Sequence, residues 1–181
     1  MLHIYTDGAC SGNPGPAAYG YVILASDHAT ILAESVATWQ HSTNQRAELQ
    51  AIVSALLHCQ ALEGAGSGLR VYSDSQYAIN CLSVWWHKWA SQGWQRKHNE
   101  PIKNLDIIRA GVEAQKPLAV EWQWVKGHAG NRWNEYVDER VNDAATLAAE
   151  VGAVDVGYGG APAVATEQRE YEQARLASLF E

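Results

Sequence analysis

Asp7, Glu48, Asp74 and Asp138 are carboxylates from four distant segments, each set in a short polar motif between apolar stretches. Asp7 closes Leu2-His3-Ile4-Tyr5-Thr6-Asp7-Gly8 and Asp74 closes Leu69-Arg70-Val71-Tyr72-Ser73-Asp74-Ser75, both read as strand ends. Glu48 lies early in a helix that follows Thr43-Asn44-Gln45-Arg46. Asp138 lies in the first turns of a helix that follows Lys126-Gly127-His128-Ala129-Gly130. Carboxylates that converge from separate elements repel one another unless divalent cations hold them. The chemistry such a set would do is metal-ion phosphoryl transfer. Taken singly, each residue has a plainer use: Asp7 and Asp74 open turns, Glu48 and Asp138 complement helix dipoles, and His128 is a loop histidine at the surface.

Positioning these residues takes a sheet with helices on its faces. Leu2–Thr6 and Tyr19–Leu24 read as strands around the turn Asn13-Pro14-Gly15-Pro16, and Ile31–Trp39 as a third strand in an antiparallel meander. The spacing of Leu49, Ile52, Val53, Leu56 and Leu57 predicts a helix capped by Thr43 or Asn44 and ended by Gly64-Ala65-Gly66-Ser67-Gly68. A strand over Leu69–Tyr72, a helix from about Ser75 and a tryptophan-rich segment come next. Pro101 suits the N1 position of a helix reaching about Gln115. Ala119–Val125 then reads as a strand, and Asn134 as the cap of a helix running to about Ala149. This order predicts an α/β fold: a mixed five-stranded sheet, three strands antiparallel and two parallel, with helices on both faces.

Composition narrows the function. The chain has 181 residues, 47% of them apolar, and eight tryptophans, which fits one α/β domain plus a tail and excludes a disordered or fibrous chain. No apolar run is long enough for a membrane span and no secretion signal is visible, so no membrane partner is expected. Cys10, Cys59 and Cys81 lack metal-ligand spacing and read as reduced thiols of a cytoplasmic protein. A net charge of −7 argues against whole-surface attraction to nucleic acid. Lys88, Arg96, Lys97 and Lys103, with His87 and His98, nevertheless form a local basic stretch in which Glu100 is the only acid before Asp106.

Four segments, in order, resemble bacterial ribonuclease HI over roughly residues 1–149: Tyr5-Thr6-Asp7-Gly8-Ala9-Cys10-Ser11-Gly12-Asn13-Pro14-Gly15, Thr43-Asn44-Gln45-Arg46-Ala47-Glu48-Leu49, Ser73-Asp74-Ser75-Gln76-Tyr77 and Val125-Lys126-Gly127-His128-Ala129-Gly130-Asn131. The resemblance implies an RNase H-like fold and an endoribonuclease that hydrolyses the RNA strand of RNA/DNA hybrids, leaving 5′-phosphate and 3′-OH ends. It implies two Mg²⁺ ions, with Mn²⁺ as a substitute, Asp7 bridging both and Glu48, Asp74 and Asp138 completing the two shells. One ion activates water and the other stabilises the departing 3′ oxygen. His128, in a loop between two glycines, is implied as a mobile proton shuttle or an aid to product and metal release, and not as a metal ligand.

The resemblance also assigns substrate contacts. Asn13, Asn44 and Gln76 read the minor groove, while Glu48 and the backbone near Cys10 touch 2′-hydroxyls. Thr43, Arg46 and Asn104 form a phosphate pocket for the DNA strand, and Tyr77, Trp85 and Trp89 line its channel. The i, i+4 spacing of Trp85 and Trp89 also predicts core packing, and leaves Trp86 and Trp94 open between core and surface. The stretch Ala90-Ser91-Gln92-Gly93-Trp94-Gln95-Arg96-Lys97 is less basic than the handle of bacterial relatives, so a handle over about 85–103 is expected to bind weakly. Rival assignments are a non-catalytic hybrid-binding module, which the complete acidic set and His128 oppose, and a DNA-strand nuclease or transposase, which the asparagines and the handle oppose.

Residues 150–165, with four glycines and Pro162, read as a linker, and 166–181 as a helical tail. Gln173-Ala174-Arg175-Leu176-Ala177-Ser178-Leu179-Phe180 resembles the peptides with which replication proteins dock on sliding clamps. The alternative is an amphipathic helix folded back on the protein or a neighbour. A monomer is expected.

Overall fold

Short runs of β-favouring residues in the N-terminal third produce β1 (Leu2–Cys10), β2 (Gly15–Leu24) and β3 (Ile31–Ser42) in a computed structural model that describes residues 1–62, 68–96 and 100–152. These strands pair antiparallel. Then come α1 (Asn44–Ala61), β4 (Leu69–Ser73), α2 (Gln76–Asn80), α3 (Trp86–Ser91), α4 (Leu105–Gln115), β5 (Val120–Trp124) and α5 (Arg132–Val151). The sheet order is β3-β2-β1-β4-β5, with β4 parallel to β1 and β5 parallel to β4. Ile4, Leu69 and Val71 of the sheet bury against Leu49, Ile52 and Leu56 of α1, with Ile107 and Ile108 of α4 behind them. On the opposite face Tyr5, Val22, Leu24 and Val36 bury against Trp133, Val137 and Val141 of α5. The expected mixed five-stranded α/β fold with helices on both faces is the fold observed.

Several boundaries differ, each for a local reason. β1 continues to Cys10, so Asp7 lies inside a strand, not at its end. The helix expected from Pro101 begins at Leu105, because Asn104 adopts the left-handed conformation (φ 59°) and interrupts the helical path. The last helix is capped by Asn131, whose side chain accepts the Asn134 N–H at 3.2 Å, and it runs to Val151. Thr43 is the cap of α1, its Oγ1 accepting the Arg46 N–H.

Between α2 and α3 the helix passes through a π turn over Cys81–Trp85. A π turn holds more residues than an α turn and rotates the faces beyond it. Trp85 is therefore exposed (39%), contrary to the core position its spacing predicts, while Trp86, Trp89 and Trp94 pack half-buried against the core. Among the described residues no helix is long and apolar enough to cross a membrane. Lys97 and the segment from 153 to 181, with most of the expected linker and the whole tail, lie outside the described residues.

Candidate active site

Strand register brings the first two carboxylates together. Leu2 faces Leu69 and Tyr5 faces Tyr72, and the same offset carried two residues further sets Asp7 beside Asp74. β4 ends at Ser73 while β1 continues, so Asp7 occupies the notch left where its parallel neighbour stops. Two glycines then bring the partners in. A Cβ on Gly8 would overlap the backbone of Ala47 and Glu48, so only glycine lets the first turns of α1 lie on β1 and put Glu48 next to Asp7. A Cβ on Gly127 would meet Asp74 Oδ2 at 2.5 Å, so the loop before α5 also closes onto the site through a glycine.

Carboxylate oxygens of Asp7, Glu48 and Asp74 lie within 4.8 Å of one another. Asp7 is buried (5% exposed) and accepts the Gly8 N–H at 2.8 Å. Glu48 Oε2 is buried and accepts no hydrogen bond. Burial, then the charges of Asp74 and Asp138, pushes the Asp7 carboxyl well above the usual carboxylate range. Burial, then Asp7 and Asp74, does the same to Glu48. Burial raises Asp74 too, against the pull of its own backbone N–H and the Asn134 side chain. An all-carboxylate set with a buried, unmatched oxygen fits a hard divalent cation, which neutralises the repulsion and fills the missing contact.

Asp138 stands at the rim on α5, its Oδ1 taking a 3.0 Å hydrogen bond from Asn142. His128 is exposed, has a left-handed backbone (φ 50°), and places Nδ1 3.6 Å from Asp138 Oδ2. The loop that carries it is tied down by the Gly130 N–H, which donates to Glu135 Oε1 at 2.8 Å.

Sequence reasoning missed three residues here. Asn134, expected as a cap, is buried (2% exposed) with its amide toward Asp74. A polar residue on the inward stripe of α5 was the available signal. Trp124 donates its indole N–H to the Asp74 carbonyl at 3.0 Å while keeping 44% of its surface exposed. Asp106, noted in the sequence only as the acid that ends the basic stretch, takes both Nη groups of Arg46, and the Arg46 guanidinium holds its carboxyl below the usual range.

The expected substrate residues lie at the end of β1, in the turn after it, at the start of α1, along the stretch from α2 to α3, and just before α4. Asn13 Oδ1 accepts the Asn44 N–H at 3.2 Å, which ties the β1–β2 turn to the start of α1. Cys10 directs Sγ to the carbonyls of Gly15 and Ser42. Gln76 is exposed at the start of α2. Tyr77, Trp85 and Trp89 make an edge-to-face series, 6.2 and then 5.9 Å between ring centroids. They line an open cleft of about 810 Å³ together with Lys88, Arg96 and Lys103. Asn104 donates to the Tyr77 hydroxyl at 3.1 Å, joining this cleft to the start of α4.

The RNase H family model matches residues 1–146. Ribonuclease H of Syntrophomonas wolfei is 42% identical over 142 residues, covering 78% of this chain and 93% of the relative. Ribonuclease H of a Jannaschia species is 44% identical over 140 residues, covering 76% and 87%. Among solved structures, the N-terminal RNase H domain of a Mycobacterium tuberculosis protein superposes with a TM-score of 0.67 at 30% identity, covering 84% of this chain and 98% of that one. LC11-RNase H1, solved in complex with an RNA/DNA hybrid, gives 0.57 at 26% identity, covering 80% and 99%. Carboxylates meeting in a notch of a mixed sheet, on a chain matched over residues 1–146, place this protein in the RNase H family.

Proposed function

We propose that this chain is a hydrolase that cleaves the RNA strand of RNA/DNA hybrids at the centre formed by Asp7, Glu48, Asp74 and Asp138. The convergence of three of these carboxylates within 4.8 Å, beside an aromatic and basic cleft, carries the proposal. Two Mg²⁺ ions, or Mn²⁺ in their place, would be held by the four carboxylates and would supply Lewis-acid charge neutralisation and an acidified water.

The chain's own residues do the rest. Gly8 and Gly127 set the spacing of the acids, and Asn134 and Trp124 fix Asp74 from two sides. His128, exposed and close to Asp138, carries a proton between the site and solvent. Asn13, Asn44 and Gln76 test for 2′-hydroxyls in the minor groove, with Glu48 and the backbone at Cys10 beside them. Thr43, Arg46 and Asn104 hold a phosphate of the DNA strand, and the rings of Tyr77, Trp85 and Trp89 pack against its sugars. Incubating labelled RNA/DNA hybrid, double-stranded RNA and double-stranded DNA with and without Mg²⁺ tests this. Cleavage confined to hybrid RNA, with 5′-phosphate products, is expected; cutting of either other duplex would defeat it.

The handle contributes modestly. Arg96 is exposed and 3.6 Å from Glu100, so part of its charge is already met. Replacing Arg96 and Lys97 together by alanine is expected to weaken hybrid binding by about three- to tenfold at low salt, with a shallower salt slope. An unchanged affinity would remove the handle from the binding site.

Residues 1–149 form the catalytic domain in this proposal, 150–165 a linker, and 166–181 a tail that reaches a sliding clamp through Gln173–Phe180. The protein acts as a cytoplasmic monomer. A labelled peptide of residues 166–181 is expected to bind the host clamp in fluorescence anisotropy. No binding would end the clamp proposal without touching the catalytic one.

A further inference from the structure

Arg46 lies in the first turn of α1, with Thr43 as that helix's cap and Asn104 just before α4. Its Nη1 donates to Asp106 Oδ1 at 2.9 Å and its Nη2 to Asp106 Oδ2 at 2.5 Å, an end-on fork across the α1–α4 junction. Both side chains are partly open to solvent, 32% for Arg46 and 51% for Asp106. Exposed pairs of this kind add little to stability and are screened by salt. The other two pocket residues are engaged as well: Thr43 Oγ1 accepts the Arg46 N–H, and the Asn104 amide donates to Tyr77. A carboxylate gripped by both Nη groups offers the guanidinium the same two-oxygen match as a phosphate.

We propose that Asp106 is an affinity-setting residue: its carboxylate holds Arg46 in place of a substrate phosphate, and a phosphate of the DNA strand must exchange with it to bind. This rests on the phosphate pocket proposed above. A duplex that also fills the Tyr77–Trp85–Trp89 cleft has enough other contacts to drive the exchange. A duplex that presents a phosphate to Arg46 alone does not. Asp106 thus lowers affinity for every nucleic acid that reaches Arg46, by the cost of that exchange.

The test is binding of labelled RNA/DNA hybrid and double-stranded DNA to the full chain, by anisotropy in EDTA so that nothing is cleaved. Asp106→Asn is expected to tighten hybrid binding about two- to fivefold at low salt, to tighten binding of double-stranded DNA at least as much, and to steepen the slope of log K against log salt by up to about one. In an Arg46→Ala background the same substitution should do nothing. Weaker hybrid binding by Asp106→Asn, or unchanged affinity and slope, overturns the proposal and makes Asp106 a support for Arg46 instead. If Arg46→Ala leaves hybrid affinity unchanged, the pocket itself is wrong. If Arg46→Ala weakens binding while Asp106→Asn fails to tighten it, only the role of Asp106 fails. Should thermal melting show Asp106→Asn to be unfolded, Asp106→Ser, which keeps a small polar group in the first turn of α4, takes its place with the same expected outcomes.

Discussion

Replacing Asp7 by asparagine is expected to abolish cleavage and, in the same protein, to raise the melting temperature measured in EDTA. Most inactivating substitutions in a buried position destabilise, so the opposite signs are diagnostic. Asp7 is buried among Glu48, Asp74 and Asp138, and without cations it bears both desolvation and like-charge repulsion. Asparagine keeps the oxygen that accepts the Gly8 N–H and removes the charge. Removing one of several buried like charges is expected to gain roughly 0.5–2 kcal/mol, or about 1–8 °C for a domain of this size.

The pH dependence follows from the direction of the shifts. Asp7, Glu48 and Asp74 are raised in the folded protein, so above the unfolded carboxylate range the native state binds more protons than the unfolded one. Stability of the metal-free protein therefore falls as pH rises from about 4.5 through the raised native values. His3, lowered chiefly by burial and then by His28, works in the opposite direction near its ordinary range. Comparing wild type with Asp7→Asn cancels that contribution. The stability difference between them should widen with rising pH and close at the acid end. A variant that loses activity and stability together would mean that Asp7 is a packing residue and that the acids do not share a site.

Gly8→Ala should be among the most damaging single-methyl changes in the described residues. The added Cβ would overlap the backbone of Ala47 and Glu48, where no side chain can rotate away. α1 must then lift from β1, with a destabilisation of about 1–3 kcal/mol or more. Because α1 carries Glu48, the same shift separates it from Asp7. A displacement of about 1 Å at a reacting centre costs on the order of 10²-fold in rate. Circular dichroism melts and hybrid-cleavage rates, measured on the same preparation, check both parts. Near-wild-type values of both would show that the contact relaxes and that Gly8 does not set the Asp7–Glu48 spacing.

Much of this site was legible in the sequence because its determinants are local. Leu49, Ile52, Val53 and Leu56 announce α1 by period alone, and the polar motifs mark where Asp7, Glu48, Asp74 and Asp138 must stand. What escaped depends on partners in other segments. The notch at Asp7 exists because β4 stops while β1 continues, a consequence of register that neither strand shows alone. Trp85 faces solvent because one π turn breaks the period on which its core assignment relied. Asn104 interrupts a helix that Pro101 was well placed to start. Asn134, Trp124 and Asp106 act through Asp74 and Arg46, residues 50 to 60 positions away, and no spacing rule reaches that far.

The most direct measurement is cleavage of a labelled RNA/DNA hybrid in Mg²⁺ by wild type and by Asp74→Asn, with hybrid affinity determined in parallel. The substitution removes one of the three converging carboxylates and leaves the cleft of Tyr77, Trp85 and Trp89 untouched. Loss of at least about 10³-fold in rate with hybrid binding retained is expected, since charge neutralisation at the phosphate is worth several kcal/mol. Cleavage by Asp74→Asn at a rate near wild type would contradict a catalytic centre built from these acids.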